Sequence, residues 1–172
     1  MTANVKSEFA NEARRIEEDA LHSSKGHHEA ARLWTNFHYS MGVPTVLMAA
    51  VAGAAALTQF DYSGIIAGIL AILVTGMTAV TTFIDPCAKA SSHQVAATKY
   101  SALRNSVRLF HRVELFTDEA ESSLLKRLKE FSQRRDELNH DSPQIPRWAY
   151  LRARKGIEAG EADHEVDSHD SK

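Results

Sequence analysis

"YSMGVPTVLMAAVAGAAALTQFDYSGIIAGILAILVTGMTAVTTFIDP", Tyr39 to Pro86, decides the fold: its 48 residues carry only two formal charges, Asp61 and Asp85. The block divides into Met41–Phe60, of 20 residues, and Ser63–Ile84, of 22. At about 1.5 Å per helical residue, each piece is long enough for a hydrocarbon core of roughly 30 Å. Asp61 and Tyr62 lie between them, a charge and an interfacial aromatic in a very short connection, which predicts a tight helical hairpin. The soluble alternative is a helix pair buried on every side in a large core. The charged segments on either side, 1–38 and 87–172, are too short to wrap both helices.

Outward from the block, the composition changes abruptly. The whole chain has 172 residues, a formal net charge of -2 and a mean hydropathy of -0.30. That average conceals a nearly uncharged centre between two strongly charged flanks. A near-neutral balance gives no support to nucleic-acid binding. Cys87 is the single cysteine, so no intramolecular disulfide is available and an oxidising compartment is not implied. The opening "MTANVKSEFANEARRIEEDA" has no apolar run, and a cleavable signal peptide is not expected. Lys25 and Arg32 precede the first span, and Lys89, Lys99 and Arg104 follow the second, while the connecting turn has only Asp61. The positive-inside rule then puts both termini in the cytoplasm.

The predicted organisation is an all-α membrane protein. Residues 1–40 form a cytosolic N-terminal helix, with Phe9, Ala13, Ile16, Ala20 and Ser24 as a narrow stripe. Residues 41–84 form the transmembrane hairpin, and Pro44 falls in the first turn of its first helix, where no kink is expected. Residues 85–140 form a cytosolic helical hairpin. Asp85-Pro86 opens its first helix as cap and first position, and Leu103, Val107 and Phe110 mark a face that runs to about Phe116. Asp118 with Glu121 resembles a capping box for the next helix, whose face is Leu124, Leu128, Phe131 and Leu138. Together with the N-terminal helix these make a cytosolic helical bundle. Residues 141–160 are a linker and a short helix anchored by Trp148 and Tyr150, and the acidic tail 161–172 is expected to be disordered.

One face of the second span is unusual. Gly64, Gly68, Ala71, Thr75, Thr78 and Thr82 all fall within about 40° of one direction at 100° per residue. The opposite faces carry Ile65, Ile66, Ile69, Ile72, Leu73, Met77 and Val80. On the first span Gly42, Thr45, Ala49, Ala52, Ala56 and Gln59 share a face, less distinctively because the helix is so rich in alanine. Two readings fit these stripes. Small residues let helices approach closely and threonines bond neighbouring carbonyls; alternatively, the stripe faces water as a pore wall when several hairpins assemble.

Chemistry is hard to place in this chain. Neither span contains an internal ionisable residue, which argues against a pump or an intramembrane protease. His27-His28-Glu29 is the densest histidine cluster, but neighbours on a helix point about 100° apart and cannot readily share a metal. No H-E-x-x-H, C-x-x-C, P-loop or nucleophile-elbow pattern occurs, so no catalytic residue, cofactor or metal site is expected. Arg104, Arg108 and Arg112, with Lys99, form a basic strip. It is either a salt-bridged face against acidic residues of the N-terminal helix or a site for an anionic lipid or ligand.

The layout, with "YSALRNSVRLF" at 100–110 and "PQIPRWAYLRARKGIEAGE" at 143–161, resembles the SLATT family, two-transmembrane effector domains associated with nucleotidyltransferases and nucleotide-sensing domains in bacterial conflict systems. The resemblance implies an antiphage effector of the bacterial inner membrane, with no enzymatic activity of its own. It implies that such a protein self-associates and opens or disrupts the membrane when a nucleotide messenger, or its synthase or sensor, signals infection. A homo-oligomer of four or more subunits is expected, because one hairpin encloses no lumen. The competing expectation is a membrane-anchored interaction module whose hairpin only tethers a bundle.

Overall fold

The computed structural model describes residues 3–58 and 60–161, and among these every regular element is helical. Helix α1 runs Ala3–Leu57, α2 Ser63–Ile84 and α3 Pro86–Arg112; a single 3-10 turn, Glu114–Phe116, precedes α4 (Glu121–Asp141) and α5 (Arg147–Glu158). The acidic tail beyond Glu161, and Gln59, lie outside the described residues.

The N-terminal helix and the first apolar span are one continuous helix. No residue between His38 and Met41 breaks it, so Pro44 sits in a helix interior and not in a first turn. This corrects the expectation for that residue: its missing N–H removes the bond that the Ser40 carbonyl would otherwise receive.

The chain divides into two compact units. The core unit comprises residues up to Ala31 and from Ser92 onward, and the apolar unit is Arg32–Ser91. In the core unit, Ala13, Ile16 and Ala20 of α1 share one hydrophobic cluster with Tyr100, Leu103, Val107 and Phe110 of α3, Leu115, and Leu124, Leu128 and Leu138 of α4. Phe131 meets Phe110 edge-on at 5.5 Å between ring centroids, a favoured aromatic geometry. Alanines let the helices approach closely: Ala30 and Ala31 on α1, Ala96 and Ala97 on α3, Ala149 and Ala153 on α5 are all buried. The anchors of α5 are therefore Ala149 and Ala153. Trp148 and Tyr150, expected in that role, are exposed, because the register of the short helix turns the small residues inward. Ile145 ahead of α5 packs where a Cβ on Gly26 would meet it at 3.1 Å.

Local chemistry explains the helix ends. Asp85 holds φ at 46° and terminates α2 by donating its N–H to the Thr81 carbonyl, while its carboxylate accepts from the Ala88 N–H at 3.0 Å and opens α3. The capping box at Asp118 is not formed: α4 begins at Glu121 after Ala120, with no side-chain cap. The loop is held instead by Arg127, which binds both Glu114 and Glu119. Each of these is an acid in the connection just ahead of α4.

Candidate functional site

Three groups of residues outside the hydrophobic core stand out, one in the apolar unit and two in the core unit. In the apolar unit, α2 has a regular covered edge at Ser63, Ala67, Leu70, Val74, Met77, Thr81 and Ile84, all half-buried. Their spacing alternates four and three, the pattern of a helix packed along one side. The corresponding positions on α1 are Met41, Thr45, Met48, Ala52 and the buried Ala55.

The stripe Gly64, Gly68, Ala71, Thr75, Thr78 and Thr82 lies elsewhere. Every one of its residues is exposed. At 100° per residue its centre is about 100° around the helix from the covered edge. The stripe is thus not the surface that packs within the unit, and a Cβ added at Gly64 or Gly68 would meet nothing within 4 Å. Its inner half, with Val74, Ala79 and Phe83, lines a shallow groove. The stripe of the first span is divided: Gly42, Thr45 and Ala52 are half-buried, while Ala49 and Ala56 are exposed. Met77, grouped by sequence with the outward isoleucines, belongs to the covered edge.

The hydroxyls are partly self-satisfied. Thr75 Oγ1 donates to the Ala71 carbonyl at 2.8 Å, Thr81 Oγ1 lies 3.0 Å from the Met77 and Thr78 carbonyls, and Thr45 Oγ1 donates to Met41 at 2.7 Å. Such back-bonding lets a threonine sit in an apolar medium with its proton used, leaving lone pairs for a neighbour or water.

The second group is a buried polar joint in the core unit. His27 on α1 and His93 on α3 place their Nδ1 atoms 2.9 Å apart, so one ring donates and the other accepts. Both are buried. Tyr100 stacks on His27 at 5.5 Å and donates its hydroxyl to Asn139 Oδ1 at 2.8 Å, reaching α4. Ser24 donates to the Ala97 carbonyl at 3.2 Å and lies 2.7 Å from the Ser101 hydroxyl. Burial pushes His27 down to about 4, with the charges of His93 and His28 adding to it, and burial also lowers His93. The pair is therefore neutral at pH 7. Sequence reasoning weighed His27 against its neighbour His28 and missed its partner on another helix. The signal was present: the spacing Ala20, Ser24, His27, Ala31 continues the buried stripe of α1, and His93 lies two turns before Tyr100 on the buried face of α3. Among the described residues no three His, Cys, Asp or Glu side chains converge as metal ligands.

The basic strip forms the third group and is not one surface. Arg104 is half-buried and pairs with Glu17 at 3.9 Å, whose other oxygen accepts from or pairs with His111 Nε2 at 2.6 Å. Arg108 is half-buried, whereas Lys99 and Arg112 are exposed. Arg104 instead faces a pocket with Lys25, His28 and Arg152, which come from α1 and α5.

No family model matches the chain, and no curated protein or solved structure matches it. Two helical stretches, Val5–Leu57 and Ser63–Phe116, are nonetheless long and apolar enough to cross a membrane. Their most apolar windows have mean hydropathies of 1.7 and 2.1, and only 6% and 0% of those windows are buried.

Proposed function

We propose that the chain is a membrane effector of the bacterial inner membrane, a hairpin-anchored protein that self-associates and makes the bilayer permeable when triggered. The observation that carries this reading is the exposed small and hydroxyl-bearing stripe from Gly64 to Thr82, on a helix of membrane-spanning length and clear of that helix's covered edge. A face of this kind suits close packing against sister copies or the lining of a water path.

Energetics support insertion. Val46, Leu47, Val51, Ile65, Ile69 and Ile72 are all exposed. Burying each such side chain is worth about 1.5–3 kcal/mol, so transferring all six out of water gains a sum comparable to the stability of a whole domain. Lipid supplies that gain. The aromatic residues fall where the spans meet the interfaces: Trp34 and Tyr39 before the first, Phe60 and Tyr62 between the two. Lys89 lies 4.6 Å over the Trp34 ring, pairing a cation and an aromatic at the end where both flanks emerge. In this reading the flanks and their helical bundle are cytoplasmic, four or more hairpins enclose the path, and no enzymatic step is involved. The SLATT resemblance supplies the context: defence against phage, with a nucleotide messenger or its synthase or sensor as the trigger.

The test is Thr75→Leu with Thr78→Leu in liposomes. Ion leakage should fall about tenfold or more while membrane insertion is retained. If instead an unrelated apolar hairpin replaces residues 41–84 with full activity, the hairpin is only a tether for an interaction module.

A further inference from the structure

The pocket bounded by Lys25, His28, Arg104, Arg152 and Glu161 has a volume of about 320 Å³ and belongs wholly to the core unit. Three features make it more than a gap between helices. The first is a guanidinium N–H without an acceptor. Arg104 Nε is shielded from solvent and makes no hydrogen bond among the described residues. Its nearest carboxylate oxygen, on Glu17, is 3.9 Å away, and Glu17 is committed through its other oxygen to His111 at 2.6 Å. A buried donor left unmade is costly, and a charged donor gains most from an anionic acceptor.

The second feature is convergence. Lys25 from α1, Arg104 from α3 and Arg152 from α5 bring three cations to one cavity, against the carboxylates of Glu29 and Glu161. Arg152 pairs with Glu29 at 3.1 Å, and Lys25 stands 3.9 Å from Glu161, beyond hydrogen-bond reach.

The third feature is how Glu161 arrives there. Helix α5 ends in a Schellman turn: the Gly160 N–H bonds the Ile157 carbonyl and the Glu161 N–H bonds the Gly156 carbonyl, both at 3.0 Å. Gly160 supplies the required left-handed φ of 83°. Gly156 leaves room for the returning side chain, since a Cβ there would come within 2.5 Å of the Glu161 carboxylate. Backbone geometry thus delivers one carboxylate to a cationic cavity that it only partly satisfies.

We infer that this pocket binds a small phosphomonoester, and that Glu161 is its built-in competitor. Phosphate fits better than a carboxylate because it presents several oxygens at once to cations arriving from three helices, and arginine forks match it bidentately. The volume lies at the lower end of small-molecule sites, suited to a phosphate group with a modest appendage. Binding displaces the Glu161 side chain and gives the Arg104 guanidinium an anionic partner. It stands whether or not the hairpins form a pore.

The experiment uses the full chain in neutral phosphatidylcholine nanodiscs, titrated with inorganic phosphate and with AMP by calorimetry, and repeated as thermal melts in discs containing phosphatidic acid. Arg104→Gln and Arg152→Gln should each weaken binding about tenfold, and Glu161→Gln should strengthen it several-fold. Arg152 has a side chain 64% exposed, so its variant carries the test even if Arg104→Gln folds poorly. Saturable AMP binding that follows this pattern supports a soluble ligand. Stabilisation only by phosphatidic acid, erased by the same arginine variants, supports a lipid headgroup as the source of the phosphate. No response in either arm, or binding indifferent to both arginines, overturns the site. Binding unchanged in Glu161→Gln overturns the competitor.

Discussion

Phe110 and Ile72 are both large apolar residues on long helices, yet Phe110 is 0% exposed and Ile72 is 74% exposed. The first belongs to the core unit, where apolar side chains occupy one stripe of each helix and charges cover the rest. The second belongs to the apolar unit, where the covered edge mixes Ser63, Ala67 and Thr81 with Leu70, Val74, Met77 and Ile84, while Ile65, Ile66, Ile69 and Ile72 are exposed. A helix that leaves four isoleucines exposed answers to a medium that does not penalise them, lipid in the reading proposed above. The same chain therefore buries a stripe of large apolar groups on α3 and on α4, but spreads them over covered and exposed faces alike in α2.

Mutations separate the two regimes. The largest effect is expected at the core. Phe110→Ala should destabilise the core unit by about 3–5 kcal/mol in denaturant melts of detergent-solubilised protein. Ile72→Ala should cost less than about 0.5 kcal/mol in the same melts. A similar loss at both positions would mean that the outward face of α2 packs against protein, and the contrast between the units would fail.

An intermediate effect is expected from pH, and it sharpens the contrast because the buried histidine pair lies in the core unit. His27 has its folded pKa depressed to about 4 from 6.5 by burial. Its neutral form is the stable one, so its contribution is fully present above about pH 6.5 and is lost progressively as pH falls towards 4. Between pH 7 and pH 5 the loss should be on the order of 1–2 kcal/mol. His27→Gln, which cannot gain a proton, should flatten that part of the curve relative to the unaltered protein. A parallel curve would show that the histidine pair does not titrate with folding.

An effect of similar size is expected at the boundary residue Asp85, which ends α2 and starts α3. Asp85→Ala removes the bond to the Ala88 N–H and puts a methyl group at a positive φ, at a cost of about 1–2 kcal/mol. Asp85→Asn should recover most of it, since asparagine both caps and tolerates that φ. Equal losses in the two variants would assign the role to the charge and not to the cap.

Much of this was readable from residue order because it depends on local periodicity. The first span, expected to reach Phe60, stops at Leu57, but the uncharged character of both spans and the length of Ser63–Ile84 needed no tertiary information. Neither did the stripe Phe9, Ala13, Ile16, Ala20, Ser24, or the Asp85-Pro86 start of α3. Other features were hidden because they depend on cancellation or on distant partners. Pro44 was placed in a first turn because periodicity does not reveal where one helix is continued by another. Asp118 had the right spacing for a cap, but the Arg127 pairing with Glu114 and Glu119 organises that loop instead.

Sequence by itself determined that every regular element among the described residues is helical and that two of the helices are long and apolar enough to cross a bilayer, because helix register and span length are properties of consecutive residues. Only the tertiary structure decided which side of α2 is covered, that His27 meets His93 across 66 positions, and that Lys25, Arg104 and Arg152 face one cavity with Glu161. Those facts depend on the rotation of each helix about its axis relative to its neighbours, which is fixed by the packing of the assembled core and left open by any single helix.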